Sequence, residues 1–354
     1  MATRPLPKPA AERTLQKKYR QLAVDTKGRL DVSTEQGAQL SKLLHTYCAA
    51  FCNLYGTIPV RAAWDILRES EPALIGEKKL LKKDFLAFTD ILRAEMLPYY
   101  VLEIDELYSE EPAGKPIDRE FVSKALVQHG QGRFSDYDML LDAQADKPFC
   151  LMERDELLAW ADAQTFFRSP QAVRLRRFLD TLRVSKQCKN KDVHGDPIRG
   201  KQLNQFIFWS DSESFYYTHA KRDWERQMLA AEYNVTFSEK LMRQITRSIQ
   251  LGSARVPMTQ MLEWRVRELN EVGVLLTQDQ FSELVRYMME YNNRSHLWCN
   301  RGWTPEELSA ATARSGVPEI TFGPGIQAMI ANGEMDKAEL LRELAKHGFR
   351  VSDD

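Results

Sequence analysis

The chain has 354 residues, 43% of them apolar, and 49 basic against 50 acidic side chains give a net charge of −1. That length accommodates two domains or several subdomains, and the apolar fraction excludes wholesale disorder. No apolar run approaches the ~20 residues of a bilayer span, and the start MATRPLPKPAAERTLQKKYRQ lacks the apolar stretch of a secretory signal, so a cytoplasmic protein with no membrane association is expected.

The charge is segregated. Residues 1–30 hold eight Lys/Arg and two acids, and residues 168–201 hold ten Lys/Arg and three acids, which leaves the rest of the chain acidic. Such segregation steers charged partners even when the total is near zero. The five cysteines, Cys48, Cys52, Cys150, Cys188 and Cys299, are odd in number and form no CxxC pair. They predict reduced thiols and no metal site.

In chain order, the prolines and charges of residues 1–30 predict a flexible basic arm, with a helical turn or two around 15–22. Ser33 or Thr34 then caps a helix whose apolar positions run Leu40, Leu43, Leu44, Tyr47, Cys48, Phe51 and Leu54, with Gly56 as its stop. A short extended TIP follows, then a helix opened by Pro59. A third helix over 82–95 places Phe85, Phe88, Ile91 and Leu92 on one face. PYYVLEIDELYSEE is expected to be two extended pieces with a turn near residues 104 and 105. Helix, strand, helix, helix and two-stranded wing is the order of a winged helix, although the connection from 69 to 82 is long for a helix-turn-helix.

Beyond 113, MERDELLAWADAQTFF predicts a helix. Ser169 and Pro170 cap a second one, with Leu175, Phe178, Leu179 and Leu182 inward and Arg174, Arg177 and Arg183 away from that stripe. SKQCKNKDVHGDPIRGK is a polar, basic connector and the best internal boundary. Residues 203–250 are helical in pattern and aromatic-rich. Two helices then pair across Gly273, the second opened by a Thr277–Gln280 capping box. A last helix starts after Asp336 and ends at Gly348. The expected fold is therefore mainly α and multi-helical, with a winged-helix-like N-terminal module containing a short β wing. Its domains are the arm 1–30, the winged-helix-like module 31–112, a helical segment with basic helix and connector 113–200, and a C-terminal helical domain 201–354.

Four stretches in order, NLYGTIPV (53–60), ERDELLAWADAQTFFRSPQAVRLRRFL (153–179), YNNRSHLWCNRGWTPEEL (291–308) and TFGPGIQAMIANGEMD (321–336), resemble a group of uncharacterised bacterial helical proteins. Many of that group end in a Sec-C zinc-knuckle tail. The resemblance implies a bacterial origin and an architecture. This chain ends KHGFRVSDD without the cysteine-rich tail, so it implies no zinc and no reaction.

Residues 291–308 support two readings. In the first, Asn292 or Asn293 ends a helix and Gly302 permits a turn. Thr304, Pro305 and Glu307 cap the next helix, and Trp298 and Trp303 pin the turn to the core. In the second, Asn292, Asn293, Arg294, His296 and Arg301 form a polar site for an anion or a nucleic-acid end. The stretch also resembles the ending of some retroviral-integrase-like transposases. Those need three carboxylates on an RNase H sheet, and the chain lacks the strand–helix rhythm of such a sheet. No GxxxxGK[ST], HExxH or GxSxG occurs, and no cofactor is expected. FGPG at 322–325 reads as a plain turn.

Phosphate contacts dominate nucleic-acid affinity. Residues 98–111 carry five acids and no Lys or Arg, so a winged-helix surface there suits a protein partner instead. The basic segment 168–201 suits nucleic acid, with Arg174, Arg177, Arg183, Lys186, Lys189 and Lys191 as the contacts and the aromatics of 206–217 nearby for single strands. The leading expectation is a non-enzymatic bacterial cytoplasmic protein that binds DNA or RNA weakly. A protein-interaction adaptor is the alternative, and an enzyme with a site around His296 is the third reading.

Overall fold

Thr34 starts the helix around which the core assembles. Its hydroxyl accepts the Gly37 amide at 3.1 Å, and α2 (Glu35–Tyr55) runs to Gly56, whose φ of 73° ends it. The computed structural model describes residues 6–108, 114–127, 134–145, 147–210, 218, 234–251, 257–314, 319–320 and 350–351. The expected turn at 322–325 and the last helix after Asp336 lie outside them. Contacts divide the chain into two units, Met1–Trp303 and Thr304–Asp354.

The described residues are mainly helical. After α2 come β1 (Thr57–Pro59), α3 (Val60–Ser70), α4 (Pro72–Gly76), α5 (Lys82–Leu92), β2 (Tyr99–Leu102), the short α6 (Ile104–Leu107) and β3 (Glu120–Ser123). The sheet is antiparallel in the order β1-β3-β2, and Phe121 is registered with both Ile58 and Val101. This order is compatible with a winged-helix-like arrangement. α4 fills the long connection before α5. One expected detail is corrected: the second wing strand is residues 120–123, and 104–107 is helical. The cause is Glu106, whose carboxylate accepts the Glu103 amide at 2.8 Å and closes a helical turn. It also takes a two-pronged bond from Arg93 at 2.7 and 2.8 Å.

The expected flexible arm is also corrected. Residues 12–25 form α1 (Glu12–Asp25), which packs on α5. Leu22 is buried, and Leu15 and Tyr19 pack against the core. Tyr19 donates to Glu95 Oε1 at 2.6 Å, and Arg29 binds Asp84 through two bonds of 2.6 and 2.8 Å. Apolar burial and buried-carboxylate contacts outweigh the prolines and charges that favour disorder.

Glu95 also meets His45, whose Nε2 lies 2.7 Å from Oε2 while Nδ1 donates to the Ser41 carbonyl at 2.8 Å. Burial opposes charge on His45, but Glu95 and the Ser41 carbonyl outweigh it and raise its pKa above the ordinary 6.5. Burial likewise opposes the Glu95 carboxylate, yet His45 and Tyr19 hold its pKa below the ordinary 4.5. A raised histidine stabilises fully below 6.5 and loses that contribution as pH rises through its folded value. A depressed carboxylate stabilises fully above 4.5 and loses its contribution as pH falls through its folded value. The clamp is therefore strongest between 4.5 and 6.5. Thermal melts should show the stability gap between the protein and His45→Gln narrowing as pH rises above that window. A gap independent of pH contradicts the clamp.

The second half of the larger unit comprises α7 (Ser135–Gln144), α8 (Arg154–Ala159), α9 (Pro170–Thr181), α10 (Phe237–Leu251), α11 (Met258–Glu271) and α12 (Gln278–Asn293). The helix expected over 152–167 stops at Ala159. Thr165 donates to the Ala159 carbonyl, and Asp162 accepts the Gln164 amide, so side chains compete for the helical partners. Ser169 caps α9 through the Ala172 amide, and Leu175, Phe178, Leu179 and Leu182 are its buried stripe. Thr277 and Gln280 form the expected capping box. α12 packs chiefly on α9, and α11 on α10, so the expected pairing across Gly273 is corrected. Residues 206–210 are not helical.

In the smaller unit, Thr304 and Glu307 exchange the bonds of a capping box at 2.9 and 3.1 Å and open α13 (Pro305–Arg314). Two short parallel strands, β4 (Glu319–Ile320) and β5 (Arg350–Val351), complete its described part. No described helix is long and apolar enough to cross a membrane. All five cysteines are free thiols, and burial raises the pKa of Cys48 and Cys52.

Candidate functional site

The basic segment begins on α9 and continues into a folded loop. Residues 182–203 are not a flexible connector. Val184 and Ile198 are buried, Arg183 bridges Gln202, and Lys191 bridges Pro197. Asp192 accepts the His194 and Asp196 amides at 3.0 and 2.9 Å and closes the tip. The loop is tied down by Ser185, whose amide donates to the Gly273 carbonyl at 2.9 Å, and by Asn190, whose side chain donates to the Glu271 carbonyl at 2.7 Å. Cys188 lies so close to Gly273 that a Cβ there would sit 2.7 Å from its sulfur.

All six expected contacts, Arg174, Arg177, Arg183, Lys186, Lys189 and Lys191, are exposed. Two have partners: Arg174 pairs with Glu290 at 3.2 Å, and Arg183 donates to the Gly200 carbonyl at 3.3 Å. Of the other basic residues, Arg168 pairs with Asp162, Arg176 with Glu239 and Lys201 with Asp192. Arg177, Lys186, Lys189, Lys191 and Arg199 make no ion pair among the described residues. The neighbouring aromatics are less available. Phe206 is buried and stacks on Phe237 at 5.8 Å, and Phe208 packs edge-on to the same ring. Residues 211–217 lie outside the described residues.

Residues 291–303 form a knot wound into the end of α2 and the stretch 144–150. The buried Trp298 donates from Nε1 to the Asn53 carbonyl at 2.8 Å. Gln144 donates to the carbonyls of both Tyr55 and Trp298. Tyr55 donates to the Cys150 carbonyl at 2.7 Å. Arg301, at φ 49°, and Gly302, at φ 83°, make the turn. Trp303 is only half-buried and donates to the Pro148 carbonyl. α12 ends at Asn293, as expected, with Arg294 as its cap at φ −114°; the left-handed residues of the stretch come later, at Arg301 and Gly302.

The five polar candidates do not converge. Asn292 donates to Asn293 at 3.1 Å. The Arg301 guanidinium donates to the Lys147 carbonyl at 2.6 Å and lies over Phe149. Arg294 and His296 share a cleft of about 310 Å³, which Glu156, Trp160, Arg168 and Ser169 also line. His296 donates from Nδ1 to the Gly302 carbonyl at 2.6 Å and meets Trp160 edge-on. Ser295 is buried, and its hydroxyl makes no hydrogen bond, so it is not coupled to His296 as a nucleophile to a base. Arg168 is neutralised by Asp162, and Glu156 adds a carboxylate. The cleft thus has no excess of positive charge to hold an anion. Residues 156–169 and 294–296 meet only in the fold, and no local sequence signal joins them.

Two of the five acids of 98–111, Glu103 and Glu106, pair with arginines inside the molecule. Glu106 holds Arg93. Glu103 lies 3.1 Å from Arg119, which also meets Asp90 at 2.7 Å and donates to Thr89. Glu110 and Glu111 lie outside the described residues. Comparison with family models, curated proteins and solved structures gives no match to this chain.

Proposed function

We propose that this is a cytoplasmic binding protein whose folded basic loop and the outer face of α9 take the phosphate backbone of nucleic acid. The observation that carries the reading is the set of exposed cations Arg177, Lys186, Lys189 and Lys191, with no carboxylate partner among the described residues, on a loop anchored by backbone bonds. An anchored loop loses little entropy on binding. Arg174 and Arg183 are secondary contacts, because the exposed Arg174–Glu290 pair is weak enough to exchange for a phosphate. Binding of this kind reads no base edges, so it is weak and indifferent to sequence. Five free thiols suit a reducing compartment. An adaptor role through the 98–111 acids is less supported, since Glu103 and Glu106 neutralise Arg119 and Arg93.

Mobility shifts with mixed-sequence DNA and RNA at low salt test the reading. The protein should shift both at micromolar concentration. Replacing Arg174, Arg177, Arg183, Lys186, Lys189 and Lys191 with Gln should remove the shift and leave the fold intact, because none lies on the buried stripe of α9. No shift, or a shift that survives the six replacements, overturns the assignment.

A further inference from the structure

We propose that the outward face of α1 is a second phosphate-binding surface for nucleic acid, an inference that rests on the nucleic-acid reading above. α1 is amphipathic in an unusual way. Leu15, Tyr19 and Leu22, at spacings of four and three, turn inward. Its exposed side chains include Arg13, Lys17 and Arg20 at the same spacings, with Lys18 beside them. None of the four makes an ion pair among the described residues. The two acids of the helix sit at its ends, where Gln16 donates to Glu12 and Gln21 to Asp25.

Local helix energetics do not account for this stripe. Like charges three and four residues apart repel, and cations in the first half of a helix oppose its dipole. The helix holds nonetheless because its other face is fastened. The Ala10 amide donates to the Ala94 carbonyl at 2.8 Å, Tyr19 to Glu95, and Arg29 to Asp84. A rigid cationic row that costs its own helix stability is relieved by a polyanion. From Arg13 to Arg20 the row spans about 10 Å. Over that distance one DNA strand presents about three phosphates.

The position of α1 adds a second reason. In a winged-helix protein that reads DNA, the third helix of the module enters the major groove. In the winged-helix-like reading the helix in that place is α5, with the short α4 inserted before it, and α1 packs on it. Lys82, Lys83 and Asp90 are the only α5 side chains left exposed. Beside α5, whose exposed side chains are few, α1 offers four exposed cations. A lipid surface fits less well. Membrane-bound amphipathic helices bury an apolar face in lipid, and the apolar face of α1 is already spent on α5; Val24 is its one large apolar residue left mostly exposed.

The test compares three full-length proteins: the natural chain, the six-Gln loop variant and Arg13→Gln/Lys17→Gln/Lys18→Gln/Arg20→Gln. Affinity for mixed-sequence duplex DNA is followed by fluorescence anisotropy across a salt series. Each lost phosphate contact lowers the log–log salt slope by about 0.9, so the α1 variant should lose about two to three units of slope. Its thermal midpoint should stay level or rise, because only repulsion is removed. An α1 variant with the natural slope, beside a loop variant that loses binding, overturns this inference and leaves the loop reading standing. A loss of slope in the α1 variant alone supports α1 and removes the loop. If the natural chain binds phosphatidylserine vesicles and not DNA, the choice of nucleic acid is overturned for both surfaces.

Discussion

Trp298→Ala should destabilise the protein by about 3–5 kcal/mol, the range for truncating a buried tryptophan. The ring is 5% exposed and gives its N–H to Asn53. It also lies against the bare Cα of Gly56, where a Cβ would come within 2.7 Å of ring carbon Cδ2. Removing it opens a cavity at the point where α2, the β1 strand and the 297–303 turn meet, and leaves the Asn53 carbonyl without that donor. Trp303→Ala makes the control. Its ring is half-buried and its N–H donates to the Pro148 carbonyl, so its loss should cost about 1 kcal/mol, the order of a single hydrogen bond. Urea unfolding, with unchanged slope and shifted midpoint, measures both. Equal effects, or a tolerated Trp298→Ala, contradict the structural role of this turn.

Glu106→Leu should cost about 3 kcal/mol or more, as removing one partner of a buried ion pair does. Glu106 is 2% exposed and holds Arg93 by both oxygens, and it caps α6 through the Glu103 amide. The substitution leaves a guanidinium with little water around it, bonded to the Val101 carbonyl at 2.7 Å and with the more distant Glu103 carboxylate, at 3.8 Å, as a counter-charge. The double variant Arg93→Met/Glu106→Leu should recover much of the loss, since an apolar pair of similar volume carries no charge deprived of its close, two-pronged partner. A double-mutant cycle by urea unfolding checks this. Additive effects in the cycle would mean that the two side chains act independently.

These ion pairs also explain where sequence reasoning succeeds and fails. Elements with local signals were legible: the Thr34 cap, the Gly56 stop, the Ser169–Pro170 start, the Thr277–Gln280 box and the apolar stripes of α2, α5 and α9. Each depends on residues within a few positions of one another. Some misread elements depend on distant partners, others on local side-chain bonds such as those of Asp162 and Thr165 that end α8 early. The helix at 12–25 is held by Glu95, and the segment after it by Asp84 through Arg29; the strand at 120–123 pairs with residues 57–59; and Glu106, which closes the turn at 104–107 on the Glu103 amide, is itself held by Arg93. An acid run at 98–111 has the composition of a solvated surface, and only the fold shows that Glu103 and Glu106 face Arg119 and Arg93. The candidate site divides in the same way. Exposure of the six basic residues was readable from the α9 stripe and the polar loop composition. The dispersal of Asn292, Asn293, Arg294, His296 and Arg301 was not, because Lys147, Phe149 and Trp160 draw those side chains apart.

The salt dependence of DNA binding by the natural chain tests the central claim most directly. Arg177, Lys186, Lys189 and Lys191 alone supply four phosphate contacts, each worth about 0.9 in the slope of log affinity against log salt. The account predicts measurable binding of mixed-sequence duplex at low salt, with a slope of about −3 to −4 or steeper. Absence of binding at micromolar protein, or an affinity that does not change with salt, would contradict it.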